Sequence, residues 1–261
     1  MTAKLVRRAG VLTLIAATTA TLTGCAGVLG AQMTYNDVEP TKITEIRITG
    51  GSGDVSVTTA AVDKTTIKRV VRRSANPDES YRLDGTVLNI DASCGHNCSV
   101  SYEIQAPAGV AVRGELRSGN VRLTGVGATE LEVTSGDVTV TKATGPVQLR
   151  ATSGDIRVID TKSEVKVEST NGDIQALHVG GPVDVKVTSG DIAVLLTAPH
   201  SVTAEATSGD VNVRVPDGDY QIRTDTGSGE ASVQGLSSDP DAKNIIDVRT
   251  RSGDALVGVA G

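Results

Sequence analysis

Residues 147–194 read VQLRATSGDIRVIDTKSEVKVESTNGDIQALHVGGPVDVKVTSGDIAV, and in them Gly154, Gly172 and Gly190 recur at intervals of 18 residues. Each of these glycines follows a Ser or an Asn and precedes an Asp. Self-similarity at a fixed period is the mark of a repeat architecture. The tripeptide or a close variant occurs nine times, at Gly53, Gly119, Gly136, Gly154, Gly172, Gly190, Gly209, Gly229 and Gly253.

Apolar residues alternate with polar ones on both sides of each glycine. Around Gly154, the run before the glycine carries Val147 and Leu149, and the run after it carries Ile156 and Val158. A period of two in β-branched residues indicates a half-buried strand. No segment after residue 24 has a helical period. The sequence therefore predicts an all-β fold built from two-strand units of about 18 residues.

Two topologies fit these units. In a β-solenoid, each unit is one coil whose two strands lie in facing parallel sheets, and both apolar sets point into the space between the sheets. In an antiparallel meander folded into a sandwich, Gly-Asp is the two-residue turn of a hairpin. The chain has 29 Gly, no Phe, no Trp and four Tyr. A core without large aromatic side chains is thin, and this favours the solenoid.

We expect a single repeat domain over residues 43–258. Residues 118–258 carry the regular repeats, and residues 43–117 read as irregular coils that cap the solenoid. The last unit is 24 residues long and contains Asp239-Pro240-Asp241. It reads as a partial cap, which predicts a monomer because a covered strand edge resists association.

The first 24 residues are typical of a lipoprotein signal peptide. Lys4, Arg7 and Arg8 precede an apolar run that is too short to cross a membrane as a helix. The run ends in Leu22-Thr23-Gly24-Cys25, which resembles the bacterial lipobox, and this resemblance implies cleavage before Cys25 and acylation of its thiol. Residues 25–42 then read as a flexible tether. The expected location is the extracytoplasmic face of the cell membrane, after Sec or twin-arginine export.

The two remaining cysteines, Cys94 and Cys98, lie in the segment SCGHNCS. In an exported protein such a pair typically forms a local disulfide. The alternative is a thiophilic metal held by both cysteines and by His96, but a fourth ligand is not evident nearby.

The residue after the repeat glycine is acidic in almost every unit. In a solenoid these carboxylates form a column, and each one either caps its own turn through a backbone hydrogen bond or helps to bind a calcium ion that bridges successive turns. The residues are Asp54, Asp137, Asp155, Asp173, Asp191, Asp210 and Asp254, with Asn120 and Glu230 at the equivalent positions.

Composition excludes some functions. A net charge of -6 and only 2% aromatic residues argue against nucleic acid as a partner. The histidines are scattered, and no catalytic motif or cofactor-binding loop is evident. A basic cluster of Lys68, Arg69, Arg72 and Arg73 predicts a solvated face or a contact with anionic lipid or wall polymer.

The S-G-D-[VI]-x-V units, the Cys94 and Cys98 pair, and Pro-Ala-Gly-Val at 107–110 resemble the bacterial "putative adhesin" domain, a family of unknown function whose actinobacterial members often follow a lipobox. The resemblance covers residues 43–258 and implies a β-solenoid of the cell envelope, without catalytic residues to transfer. We therefore expect a non-enzymatic, membrane-anchored module that binds an envelope protein or wall polymer, without a cofactor. The alternatives are a calcium-stabilised structural repeat and a polysaccharide-acting enzyme on a β-helix.

Overall fold

The computed structural model describes residues 32–72, 81–93 and 98–260, and every regular element in them is a strand. The first strands are β1 (Gln32–Glu39), β2 (Glu45–Thr49), β3 (Val55–Ala60), β4 (Thr65–Arg72), β5 (Tyr81–Asp84), β6 (Val87–Asp91), β7 (Ser99–Pro107), β8 (Ala111–Ser118), β9 (Val121–Thr124), β10 (Thr129–Ser135) and β11 (Val138–Thr141). They are followed by β12 (Val147–Ser153), β13 (Ile156–Ile159), β14 (Val165–Asn171), β15 (Ile174–Val179), β16 (Val183–Ser189), β17 (Ile192–Leu196), β18 (Val202–Ser208), β19 (Val211–Val215), β20 (Tyr220–Ser228), β21 (Ala231–Gln234), β22 (Asn244–Ser252) and β23 (Ala255–Val259). The described part of the chain contains no helix that could span a membrane.

The strands form two sheets. Sheet A has twelve strands in the order β1-β4-β7-β3-β9-β11-β13-β15-β17-β19-β23-β21, and sheet B has eleven in the order β20-β22-β18-β16-β14-β12-β10-β8-β2-β6-β5. Neighbouring coils pair parallel and in register, so that Val147 lies opposite Val165 in sheet B. The Ser-Gly-Asp tripeptide is the corner that joins a sheet B strand to a sheet A strand. The predicted β-solenoid is confirmed, and the antiparallel meander is wrong, because the tripeptide connects two sheets rather than two arms of a hairpin.

The core is a thin layer of aliphatic side chains between the sheets. Val165 and Val167 from sheet B and Ile174 from sheet A are fully buried. The four tyrosines lie outside the regular coils, in β1, β5, β7 and β20. Aromatic side chains are therefore confined to the ends of the stack, where the coils are irregular and have room for them.

The corner glycines of the regular coils have a backbone conformation that other residues rarely adopt. Gly172, for example, has φ +111°. The glycines also stack directly on one another, and a Cβ on Gly172 would overlap the carbonyl oxygen of Gly154. Both the conformation and the close approach of two backbones require glycine here.

The coils at both ends are not stacked in chain order. At the C-terminal end, β22 and β23 lie between the coil of β18 and β19 and the outermost coil of β20 and β21. At the N-terminal end, β2 and β3 lie between the coil of β6 and β7 and that of β8 and β9. At each end, the outermost parallel coil (β6 and β7, or β20 and β21) is therefore not the terminal one in chain order.

The expected partial cap therefore differs from the observed one. The strands of the last 24-residue unit are interior, and the outermost coil is that of Gly229. The loop around Asp239 does cover part of that coil's edge, because the backbone N–H of Asp239 donates to the carbonyl of Tyr220 at 2.8 Å. Nearby, the hydroxyl of Ser238 accepts from the backbone N–H of Ile222 at 3.0 Å.

Antiparallel strands close the N-terminal end. β1 pairs with β4, and β4 pairs with β7, at the end of sheet A, while β5 pairs with β6 at the end of sheet B. The tether predicted over residues 25–42 is therefore wrong for Gln32–Glu39, which form β1. The alternation of half-buried Met33, Tyr35 and Asp37 with exposed neighbours marks this strand, but its inward positions include polar residues, so it lacks a clear apolar period.

The basic cluster predicted on β4 does not form one face, because successive residues of a strand point to opposite sides. Arg69 is buried, with its guanidinium 4.4 Å from the centre of the Tyr35 ring. Lys68 points outward and pairs with Glu103 at 3.0 Å. Arg72 is exposed, and Arg73 lies outside the described residues.

Substitution of the corner glycine tests this account of the fold. We expect Gly172→Ala to lower the free energy of unfolding by at least about 3 kcal/mol, because it combines backbone strain with overlap against Gly154. Gly85→Ala is the matched control, since Gly85 also has positive φ (+59°) but nothing lies within 4 Å of a Cβ there. It should lose only about 1 kcal/mol. Equal losses in urea unfolding would contradict the stacked-glycine corner.

Candidate functional site

The corner carboxylates form one continuous column of hydrogen bonds. From the second corner of the stack onward, the residue after the corner glycine donates its backbone N–H to the side-chain Oδ1 of the equivalent residue in the coil before it. At the first corner, the N–H of Asp54 donates to the hydroxyl of Ser101 at 3.3 Å. Asp173 donates to Asp155 at 3.1 Å, and Asp191 donates to Asp173 at 2.9 Å. In stack order the column contains Asp54, Asn120, Asp137, Asp155, Asp173, Asp191, Asp210, Asp254 and Glu230.

Each aspartate therefore caps the turn of the next coil, and the expectation that it caps its own turn is wrong. The reason lies in the direction of the backbone groups at the corner. The N–H groups of Gly172 and Ile174 donate to main-chain carbonyls of the next coil, those of Ser189 and Asp191. The N–H of Asp173 between them points to the preceding coil, where the Asp155 carboxylate accepts it. A backbone donor at the corner needs such a partner.

The last position of the column carries a Glu instead of an Asp or Asn, and its place at the end of the stack explains why. Glu230 donates its N–H to Asp254 at 2.9 Å, but no further coil lies beyond it in the described structure. Its side chain has no turn to cap, so the short reach of Asp or Asn is not required. The change from Asp to Glu is therefore a sequence signal for the outermost coil.

Hydrogen bonding accounts for the column without a bridging cation. One oxygen of each capping aspartate accepts a backbone N–H, and within residues 32–72, 81–93 and 98–260 no group of three or more His, Cys, Asp or Glu side chains is placed to hold a metal ion.

The cysteine predictions fall largely outside the described residues. Cys98 is disulfide-bonded and packs against the core. Cys94 and His96 lie outside the described residues, so the pairing of Cys94 with Cys98 stays a prediction. Cys25 also lies outside them, and its acylation is untested.

A row of alternating charges lies on the outer face of sheet B, four residues before the corner glycines of seven successive coils. We call it the charge row, and in stack order it consists of Glu132, Arg150, Glu168, Lys186, Glu205, Arg249 and Asp225. The alternation begins at Glu132, because Glu115 in the preceding coil is in register with it and carries the same charge. Nε of Arg150 lies 3.1 Å from Glu168, and Nζ of Lys186 lies 3.2 Å from Glu205. The hydrogen bond and charge of Glu205 raise the pKa of Lys186, so this lysine stays protonated at neutral pH.

The inverted order of the last coils keeps the charges alternating. Stacking in chain order would place Asp225 directly beside Glu205, and like charges on neighbouring strands are destabilising. In the observed order, Arg249 lies between them, 3.8 Å from Glu205 and in register with Asp225. The charge row therefore favours the observed stacking over the sequential one.

A groove runs along the stack beside the charge row. Its second wall lies two residues before the corner glycines and is a row of exposed threonines in four coils, followed in the last two coils by Arg251 and Gly227. The threonines are Thr152, Thr170, Thr188 and Thr207. Small residues such as Ala151 and Ala206 line its floor, and its volume is about 830 Å³. The seven coils of the charge row give it a length of about 29 Å at a strand spacing of about 4.8 Å.

The groove is lined by charged and hydroxyl side chains. Its lining contains four acidic and four basic residues, so it is neutral overall, and it includes no His, Cys or aromatic residue. His178 lies at another corner, where its Nδ1 is 3.3 Å from Asp160. The groove offers a line of charged and hydroxyl groups at a fixed spacing.

The groove could not be read from the most regular position of the repeat, which is the residue after the corner glycine. The charge row occupies a position that varies between coils, and its alternation appears only when the repeats are aligned on the glycine and the last two are exchanged. The threonine row was visible in the same alignment.

Comparison with known proteins agrees with this architecture. Residues 33–257 match the model of the Toastrack DUF4097 family. No functionally curated protein matches the chain.

Solved structures share the fold at low sequence identity. A "putative adhesin" from Bacteroides fragilis NCTC 9343 is 13% identical, with 90% of this chain and 100% of that chain covered and a TM-score of 0.52. A "putative lipid binding protein" from Parabacteroides distasonis ATCC 8503 is 16% identical, with 89% and 98% covered and a TM-score of 0.53. Another "putative adhesin" from that organism is 18% identical, with 88% and 98% covered and a TM-score of 0.50.

The capping role of the column is tested at Asp173. We expect Asp173→Ala to lower the free energy of unfolding by about 1–2 kcal/mol, because the N–H of Asp191 loses its acceptor. Asp173→Asn keeps an acceptor oxygen, as Asn120 does for Asp137 at 3.0 Å, and should change stability by less than about 0.5 kcal/mol. Thermal and urea unfolding measure both variants. Equal loss in the two would mean that the charge, not the hydrogen bond, matters.

Exchanging two charges tests whether the charge row acts as a continuous ladder. In the double variant Arg150→Glu with Glu168→Arg, the two exchanged residues still attract each other. However, the new Glu at position 150 lies beside Glu132, and the new Arg at position 168 lies beside Lys186. We expect a loss of about 1 kcal/mol. The control exchanges the isolated pair on sheet A, Lys68→Glu with Glu103→Lys, which should be neutral. A neutral result for both exchanges in urea unfolding would show that the ion pairs are independent.

Proposed function

The chain belongs to the Toastrack DUF4097 family, and on that premise we propose that it is a non-enzymatic binding module held by a lipid on the extracytoplasmic face of the cell membrane. The observation that carries the proposal is the groove of sheet B. It presents a neutral line of alternating charges and hydroxyls across seven coils, which suits an extended polar ligand of the cell envelope.

The comparisons support a binding role in general terms. The structures with the same fold bear names that describe adhesion or lipid binding. The groove adds a specific surface. Because the sheet is rigid, it holds its polar groups at a fixed spacing, and little side-chain conformational entropy is lost when a ligand binds.

The lipid anchor is supported by the sequence. Cys25 closes the lipobox-like Leu22-Thr23-Gly24-Cys25, and β1 begins seven residues later, at Gln32. Seven residues span at most about 25 Å, so acylation at Cys25 holds the N-terminal end of the solenoid close to the bilayer.

Site-specific cross-linking on intact cells tests the groove as the binding surface. A photoreactive amino acid replaces Thr170 in the groove or, as the control, the exposed Thr124 on sheet A. We expect adducts with envelope material from position 170 and not from position 124.

Membrane fractionation tests the lipid anchor. The Cys25→Ala protein should leave the membrane fraction, whereas the Cys98→Ala protein should stay in it.

Adducts of equal yield from both positions would contradict the groove as the binding surface. Retention of the Cys25→Ala protein in the membrane fraction would contradict the lipid anchor. Release of a small product from envelope polysaccharide by the purified protein would show an enzyme instead.

A further inference from the structure

We propose that the groove binds one strand of a linear glycan that alternates an acidic sugar with an acylamino sugar, lying parallel to the stack axis. This inference rests on the proposed function and names its ligand class. It follows from three properties of the groove: the period of its charges, the donors and acceptors that they leave available, and the absence of aromatic residues from its lining.

The period of the charge row matches a glycan and not a peptide. One coil advances by about 4.8 Å, so charges of one sign recur at about 9.6 Å. A sugar ring in an extended β-linked chain is close to one coil spacing long, and a disaccharide is close to two. An extended polypeptide repeats its side-chain direction every two residues, at about 6.7 Å, and falls out of step with the row.

The charges alternate as such a ligand requires. Arg150, Lys186 and Arg249 provide a cation at every second coil, where a sugar carboxylate can accept charge-assisted hydrogen bonds. Glu168 and Glu205 lie between these cations and can accept the amide N–H of an acylamino sugar. A polymer with a carboxylate on every ring would instead place one carboxylate against each glutamate.

The ion pairs orient the side chains of the charge row and leave hydrogen-bond donors unused, which can bind a ligand. The hydrogen bond between Arg150 and Glu168 uses Nε of the arginine, and its two terminal nitrogens remain as donors. On the opposite wall, the exposed hydroxyls of Thr152, Thr170 and Thr188 recur once per coil and can pair with ring hydroxyls along the same strand.

The groove selects for charge because it cannot select by stacking. Its lining has no aromatic side chain, so the stacking contacts on which neutral glycans depend are not available there. The three cations span four coil spacings, about 19 Å. Affinity should therefore rise with ligand length until five sugars, the shortest strand that can place an acidic ring at each cation.

Titration calorimetry with the full chain in detergent micelles tests the proposal. The probe is a series of hyaluronan oligosaccharides, which alternate glucuronate with N-acetylglucosamine. The comparators are chitin oligosaccharides, which are neutral, and oligogalacturonates, which carry a carboxylate on every ring. We expect hyaluronan to bind at least tenfold more tightly than either comparator, with affinity rising up to about five sugars.

The variant Lys186→Gln removes the central cation and should weaken hyaluronan binding about tenfold. Lys68→Gln is the matched control, because it also removes an ion-paired lysine but on sheet A, and it should leave affinity unchanged. Circular dichroism melting checks that both variants fold. Equal affinity for hyaluronan and chitin, or equal affinity of the two variants, would overturn the proposal.

A parallel pull-down of purified envelope material separates failure of this inference from failure of the proposed function. If hyaluronan does not bind but the groove still captures envelope material in a manner that Lys186→Gln abolishes, the ligand class is wrong and the binding module stands. Recovery of an extended peptide in that capture would likewise overturn the glycan. Failure of both would overturn the binding module.

Discussion

The close approach of two backbones at each Ser-Gly-Asp corner is the constraint on which the rest of the structure depends. Because the carbonyl of one corner glycine occupies the space of a Cβ on the next, adjacent coils can stack in one register only. That register places equivalent residues directly above one another through the regular coils. The thin aliphatic core, the column of capping carboxylates and the two rows that line the groove all follow from it.

The sequence predicted the coil well and the stack less well. A period of 18 residues with alternating Val and Ile defines two strands and a corner, because burial on one face of a strand requires that alternation. It does not define which coils are neighbours. The exchange of the last two coils depends on contacts between Arg249, Glu205 and Asp225, which are up to 44 residues apart. β1 was missed because its inward positions include Asp37 and Glu39, so burial gave it no apolar period.

The site shows a similar division between repeated and variable positions. Asp173 and its equivalents attracted a functional interpretation because they recur in every coil, yet their recurrence reflects a backbone N–H that every corner must satisfy. The charge row occupies a position where the fold tolerates any polar residue, so its alternating order is information beyond what the coil requires. In a repeat protein of this kind, departures from the repeat are the more useful guide to function.

The alternating charge row has a consequence for how such a chain can change in length during evolution. Duplication of the single coil that carries Glu168 would set two glutamates side by side, whereas duplication of that coil together with its neighbour would preserve the alternation. At both ends the coils are also not stacked in chain order, so a new coil cannot be added there without changing the existing contacts. A solenoid of this design is therefore expected to lengthen from the middle, and within the charge row the duplication of two coils together costs less electrostatic repulsion than the duplication of one.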